Sequence, residues 1–166
     1  MNQTASRLGL ACAMVTLLFQ AASAQDRMPS AIQDEIFARK LLMDTVDSHL
    51  DAIDWILSAK PPVDLPRAIE HADTISAMLL ALPHLFPPAT NRWRLDGPQN
   101  PARDTFAAPE LWTNFDDFYR RAGEASQLAL AASRAKKIEQ FKLRVEELRD
   151  ACEACHALYT KGDKAD

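Results

Sequence analysis

The chain has 166 residues, with 19 basic and 23 acidic side chains, a formal charge of −4 and three cysteines. That length suits one domain with its own core and hardly two. The acidic balance argues against nucleic acid as a partner.

The first segment reads as an export signal. A lone basic residue, Arg7, precedes an uncharged apolar run from Leu8 to Phe19, and Ala22-Ser23-Ala24 has the small-x-small form of a signal-peptidase site. Cleavage after Ala24 is expected, which leaves residues 25–166 as a single periplasmic domain. The apolar run is too short to span a bilayer stably, and nothing later approaches about 20 uncharged apolar residues, so no membrane insertion is expected after cleavage. Cys12 leaves with this leader, because Gly9-Leu10-Ala11 before it is a poor lipoprotein signal. The mature chain then has 18 basic against 23 acidic residues, a formal charge of −5. Its remaining thiols, Cys152 and Cys155, sit in a compartment where free thiols oxidise.

Prolines at 29, 61, 62, 66, 83, 87, 88, 98, 101 and 109 separate long proline-free windows, and proline costs about 3 kcal/mol inside a helix, so they mark the joints. Residues 30 to 59 place Ile32, Ile36, Arg39, Met43, Val46, Leu50, Ile53 and Leu57 at alternating steps of four and three, the seam of a bundled helix. The second helix, Leu65 to Leu82, carries Leu65, Ile69, Ala72, Ile75, Leu79 and Leu82 on one side, with Pro66 acceptable in its first turn. Residues 83 to 109 form a long connection, with one helical turn expected around Pro109 to Trp112. The third helix starts at Thr113 or Asn114, either of which can cap it, and its stripe runs Phe115, Phe118, Ala122, Ala125, Ala129, Ala132. Small residues there let another helix approach closely. The fourth window gives Ile138, Phe141, Val145, Leu148, Cys152, Cys155 and Tyr159. No segment has the period-two pattern of a strand. The fold class is therefore all-α, an antiparallel up-down-up-down four-helix bundle, in which cofactors lie between facing helices.

Cys152-Glu153-Ala154-Cys155-His156 is the c-type haem attachment signature. On a helix, positions i, i+3 and i+4 share one face, so both sulfurs can add to the two vinyl groups of one porphyrin while the adjacent imidazole reaches the iron. Two other readings of the thiol pair exist. A disulfide oxidoreductase expects a βαβ context, and a zinc site needs two further ligands.

The chain also resembles the class II c-type cytochromes, the cytochrome c′ family with its low-spin, c-556-like members, over nearly all of its mature length. The resemblance rests on the haem motif near the C-terminus with Tyr159 three residues beyond the histidine, and on Arg39-Lys40-Leu41-Leu42-Met43. Two further segments carry it, Phe86-Pro87-Pro88-Ala89-Thr90 and Ala108-Pro109-Glu110-Leu111-Trp112. It implies one covalent haem c, with Arg39 beside the propionates and Met43 pointing at the distal face of the iron. The family pattern also places Lys40, Phe86, Thr90 and Tyr159 at the cofactor. Family members occur as monomers and as homodimers built on the first two helices.

In this family the distal position is either a ligating methionine, giving a low-spin electron carrier, or a side chain that leaves the iron five-coordinate and open to NO or CO. A methionine thioether is a soft iron ligand that raises the potential, and it is also an ordinary core filler. His49, His71 and His84 are chemically competent rivals that read as surface or rim histidines. Thr160 stands where cytochrome c′ commonly has a basic residue, with Lys161 one place further on, which weakens the gas-binding reading. The expected function is electron transfer between transient redox partners, by a carrier and not an enzyme, with His156 and Met43 on the iron. The alternatives are a five-coordinate NO/CO-binding cytochrome c′ and a haem-free helical interaction domain with a structural disulfide.

Overall fold

A computed structural model describes residues 31–60, 62–93 and 104–161. The expected leader and its expected cleavage site lie outside these residues. Four long helices account for most of what is described: α1 (Ala31–Ser58), α2 (Leu65–Ala81), α3 (Phe115–Ser133) and α4 (Ile138–Tyr159). Their limits follow the proline map. Asp64 caps α2 by accepting from the Arg67 amide at 3.2 Å, with Pro66 in the first turn where its missing N–H costs nothing. Pro83 closes the same helix by tightening it into a 3₁₀ turn, Leu82–Leu85, and a second 3₁₀ turn follows at Pro88–Thr90.

The expected turn near Pro109 is a one-turn helix, Glu110–Thr113. Asn114 does stand at the start of α3, yet its side chain makes no cap hydrogen bond. Its Nδ2 donates back to the Glu110 carbonyl at 3.1 Å, because the preceding turn runs directly into α3 and leaves that carbonyl within reach. Asp116 and Asp117 sit in the first turn, where the helix dipole favours negative charge.

α2 and α3 make the most extensive approach of any helix pair among the described residues, and the reason is side-chain size. Ala72, Ser76, Ala125, Ser126 and Ala129 are all buried, and the Ser126 hydroxyl donates to the Ser76 carbonyl at 2.9 Å. α1 is held at greater reach, through larger side chains. Arg149 on α4 bonds the Leu50 carbonyl at 3.4 Å and Asp54 at 2.7 Å. The α3 stripe is buried from Phe118 onward, with Phe115 only half-buried at its end.

The connection before α3 is pinned to the end of α4. The Ala108 amide donates to the Tyr159 carbonyl and the Lys161 amide to the Phe106 carbonyl, each at 2.8 Å, around a single antiparallel bridge between Ala107 and Thr160. No named strand occurs among the described residues. None of their helices is long and apolar enough to cross a membrane.

Candidate functional site

The bundle is packed solid at one end and hollow at the other. Around Ile53, Ala72, Ile75, Ala132, Phe141 and Leu148 the side chains are essentially inaccessible. Toward the start of α1, the end of α2, the start of α3 and the end of α4 they part around a cavity of about 320 Å³. Leu79, Leu82, Phe86, Leu111 and Phe118 give it apolar walls, and Ala122, Ala125 and Ala151 make room by being small.

The cavity gathers most residues that the sequence singles out. Cys152, Cys155, His156 and Tyr159 line it from α4, and Arg39, Lys40 and Met43 line it from α1. Phe86 lies on its wall, edge-on to Phe118 with ring centroids 4.9 Å apart. Thr90 does not line it. Instead Thr90 is fully buried and accepts from Arg39 Nη1 at 2.7 Å. Of the other aromatic residues, Trp112 braces Phe86 by donating its indole N–H to the Phe86 carbonyl at 3.1 Å, while Phe141 belongs to the solid end.

The two thiols are half-buried and uncrosslinked. Burial pushes Cys152 up to about 11 and raises Cys155 as well. A redox CxxC works through a stabilised thiolate, so this environment is the reverse of what disulfide exchange needs. Among the described residues no group of three or more His, Cys, Asp and Glu side chains is arranged to hold a metal ion.

Arg39 does not snorkel; it is 4% exposed. Its guanidinium bonds the hydroxyls of Thr90 and Thr105 and, more weakly, the carbonyls of Leu85 and Thr90. It also lies 4.5 Å from the Phe86 ring centroid and 5.6 Å from that of Trp112. Burial lowers its pKa to about 10, opposed by Glu35. Lys40 is lowered by burial and partly restored by Asp104, and its ammonium sits 4.7 Å from the Phe106 ring centroid.

Three contributors escaped the sequence reading. Thr105 and Phe106 come from the proline-rich connection, which has no periodicity to mark them. Arg121 lines the cavity within electrostatic reach of Cys155. Its Nε donates to Asp117 at 2.6 Å, and the Tyr159 hydroxyl donates to the same carboxylate oxygen at 2.6 Å. These bonds, together with one from Arg120, hold the Asp117 carboxyl far below the usual carboxylate range. Lys161 does not bend inward, because its ammonium is held by Glu110 at 2.7 and 2.8 Å. His49 and His71 lie away from the cavity and against each other, and His84 is exposed beside Tyr119.

Two thiols and an imidazole on one helical face, an apolar hollow, a facing thioether and a buried guanidinium together fit a covalently attached haem c. Comparison with known proteins agrees. The profile of the Cytochrome C′ family matches residues 34–160. Cytochrome c-556 from Agrobacterium tumefaciens (strain II Chrys) is 27% identical over 127 residues, covering 75% of this chain and 95% of its own. Cytochrome c′ from Thermochromatium tepidum shares the fold with a TM-score of 0.69 at 20% identity, over 81% of this chain and all of that one. Oxidised cytochrome c556 from R. palustris superposes with a TM-score of 0.65 at 17% identity, over 79% and 98%. The chain thus belongs to the cytochrome c′ family of mono-haem, four-helix cytochromes.

Proposed function

We propose that the mature chain, residues 25–166 after export to the periplasm, is an electron carrier and not an enzyme, with His156 and Met43 as the axial ligands of its haem iron. The observation that carries this reading is the Met43 thioether on the wall of the same cavity as Cys152, Cys155 and His156. Haem c supplies one-electron redox chemistry when bound, and a thioether ligand raises its potential. The chain's own residues do the rest. Leu79, Leu82, Phe86, Leu111 and Phe118 would limit water on the apolar side of the cavity. Arg39 and Lys40 offer positive charge for the propionates, and among the described residues the hydrogen-bond acceptors of Arg39 are neutral, with Glu35 acting on it only through charge, so a carboxylate there would meet a charge only partly matched. Redox partners would meet this surface through small transient contacts.

The second reading, a five-coordinate NO/CO-binding protein, gains one observation. Arg121 brings to the cavity wall, within electrostatic reach of Cys155, a basic group such as Thr160 lacks, although Asp117 already compensates its charge. Optical spectra of the haem-loaded protein separate the two. Low-spin spectra in both oxidation states are expected, with Met43→Ala converting the iron to high-spin and lowering its potential, and His49→Ala changing neither. A high-spin ferrous protein that takes up carbon monoxide readily would overturn the electron-carrier reading.

A further inference from the structure

His49 and His71 make a contact that the haem site does not use. Their Nδ1 atoms lie 2.7 Å apart, with ring centroids 5.0 Å apart and planes tilted by 59°. Both rings are half-buried on the seam between α1 and α2, and neither lines the cavity. At this distance one Nδ1 carries a proton and the other presents its lone pair. Burial, then His49 and Arg67, disfavour a charged His71, with Glu70 opposing them. The two imidazoles also stand on rigid backbone. Each is followed directly by a buried core residue, Leu50 at 6% exposure and Ala72 at 0%.

Two convergent imidazole nitrogens on fixed helices are what a borderline divalent cation binds. Metal–nitrogen bonds of about 2.0–2.1 Å at a cis angle set the nitrogens roughly 2.9–3.4 Å apart, which a small rotation of either ring provides. We propose that His49 and His71 form a chelating site for such a cation, Cu(II) most tightly, which clamps α1 to α2 at a distance from the haem. On binding, one ring moves its proton from Nδ1 to Nε2 through solvent, both nitrogens donate their lone pairs, and no net proton is released. With no third His, Cys, Asp or Glu side chain converging there among the described residues, water fills the other positions. The preference for Cu(II) over Zn(II) follows the usual divalent order for nitrogen ligands.

The test uses the haem-loaded mature protein titrated with Cu(II) against a competing chelator such as glycine. One tight equivalent is expected, with nitrogen hyperfine structure from two imidazoles in the electron paramagnetic resonance spectrum. His49→Gln and His71→Gln should each weaken binding by about 10–100-fold or more, while His84→Gln leaves it unchanged. Cu(II) should raise the melting temperature of the wild type and of His84→Gln but not of the other two variants. An unaltered haem spectrum certifies that each variant is folded. Equal affinity in His71→Gln and wild type, or a spectrum of copper held by the terminal amine, would overturn the proposal; the wild-type resonance spectrum decides it even where a variant fails to fold.

Discussion

Arg39 carries its charge into a site with 4% exposure, where the strongest of its neutral acceptors are the hydroxyls of Thr90 and Thr105. A buried donor that loses its acceptor costs about 1–3 kcal/mol, because the group stays desolvated with nothing in return. Thr90→Val keeps the volume and removes the acceptor 2.7 Å from Nη1. Its haem-loaded form should therefore lose about 1–3 kcal/mol in urea unfolding, and equal stabilities would mean that the remaining carbonyls suffice. The sequence disclosed that Arg39 is buried, since it occupies a heptad seam. It did not disclose Thr105, 66 residues away in a segment whose side chains follow no period. Asp117 is the complementary case, a carboxylate whose pKa is depressed by the Tyr159 hydroxyl, Arg121 and Arg120. Because its folded value is lowered, its contribution is complete above the unfolded pKa of about 3.9 and is lost as pH falls below that toward the folded value. The stability gap between wild type and Asp117→Asn should be open at pH 7 and pH 5 and should narrow below about pH 4. Urea titrations at these pH values check it, and a gap that is unchanged at low pH would remove the ionised carboxylate from the account.

The four helices obey different rules of approach. α2 and α3 come close because their facing residues are Ala72, Ser76, Ala125, Ser126 and Ala129, whereas α1 stands off on larger side chains and is tied across by Arg149. Gly123 lies within α3 but contributes nothing to that closeness, since a Cβ built there meets no atom within 4 Å. A helical glycine with free space around it only adds entropy to the unfolded chain. Gly123→Ala should stabilise the protein by about 0.5–1 kcal/mol, read as a higher urea midpoint with an unchanged slope. A loss of stability would mean that α3 uses the glycine for an approach not visible in its surroundings. At this scale the sequence was most readable, because proline positions and apolar stripes are local signals that bounded α1 as 31–58 against an expected 30–59. The bridge between Ala107 and Thr160 was not readable, since it is backbone pairing and leaves no mark on side-chain type. The contact of His49 with His71 was hidden for another reason: it depends on the register between two helices, which neither stripe encodes.

Across the whole molecule, apolar packing is unevenly distributed, and stability should follow it. The end built on Ile53, Ala68, Ala72, Ile75, Ala132 and Phe141 closes on itself, with every one of these residues at 0% exposure. The opposite end surrounds a cavity of about 320 Å³, and its walls meet one another mainly at the rim, through contacts such as Phe86 with Phe118 and Phe118 with Tyr159. Interior packing contributes where atoms touch, and an apolar hollow forfeits those contacts. The haem is therefore as much a core residue of that end as a redox centre. Replacing both Cys152 and Cys155 by serine would remove the sulfurs proposed for thioether attachment and leave the closed end untouched, so a chain that fails to retain haem should melt well below the haem-loaded one. Amide exchange should show where. Opening proceeds locally from regions with few buried contacts, so amides near Met43, Ala122 and Ala151 should lose protection first, while those near Ile53, Ile75 and Phe141 keep theirs until global unfolding. Uniform loss along all four helices would instead mean that the bundle folds as one cooperative unit around its cofactor, with the closed end unable to stand alone.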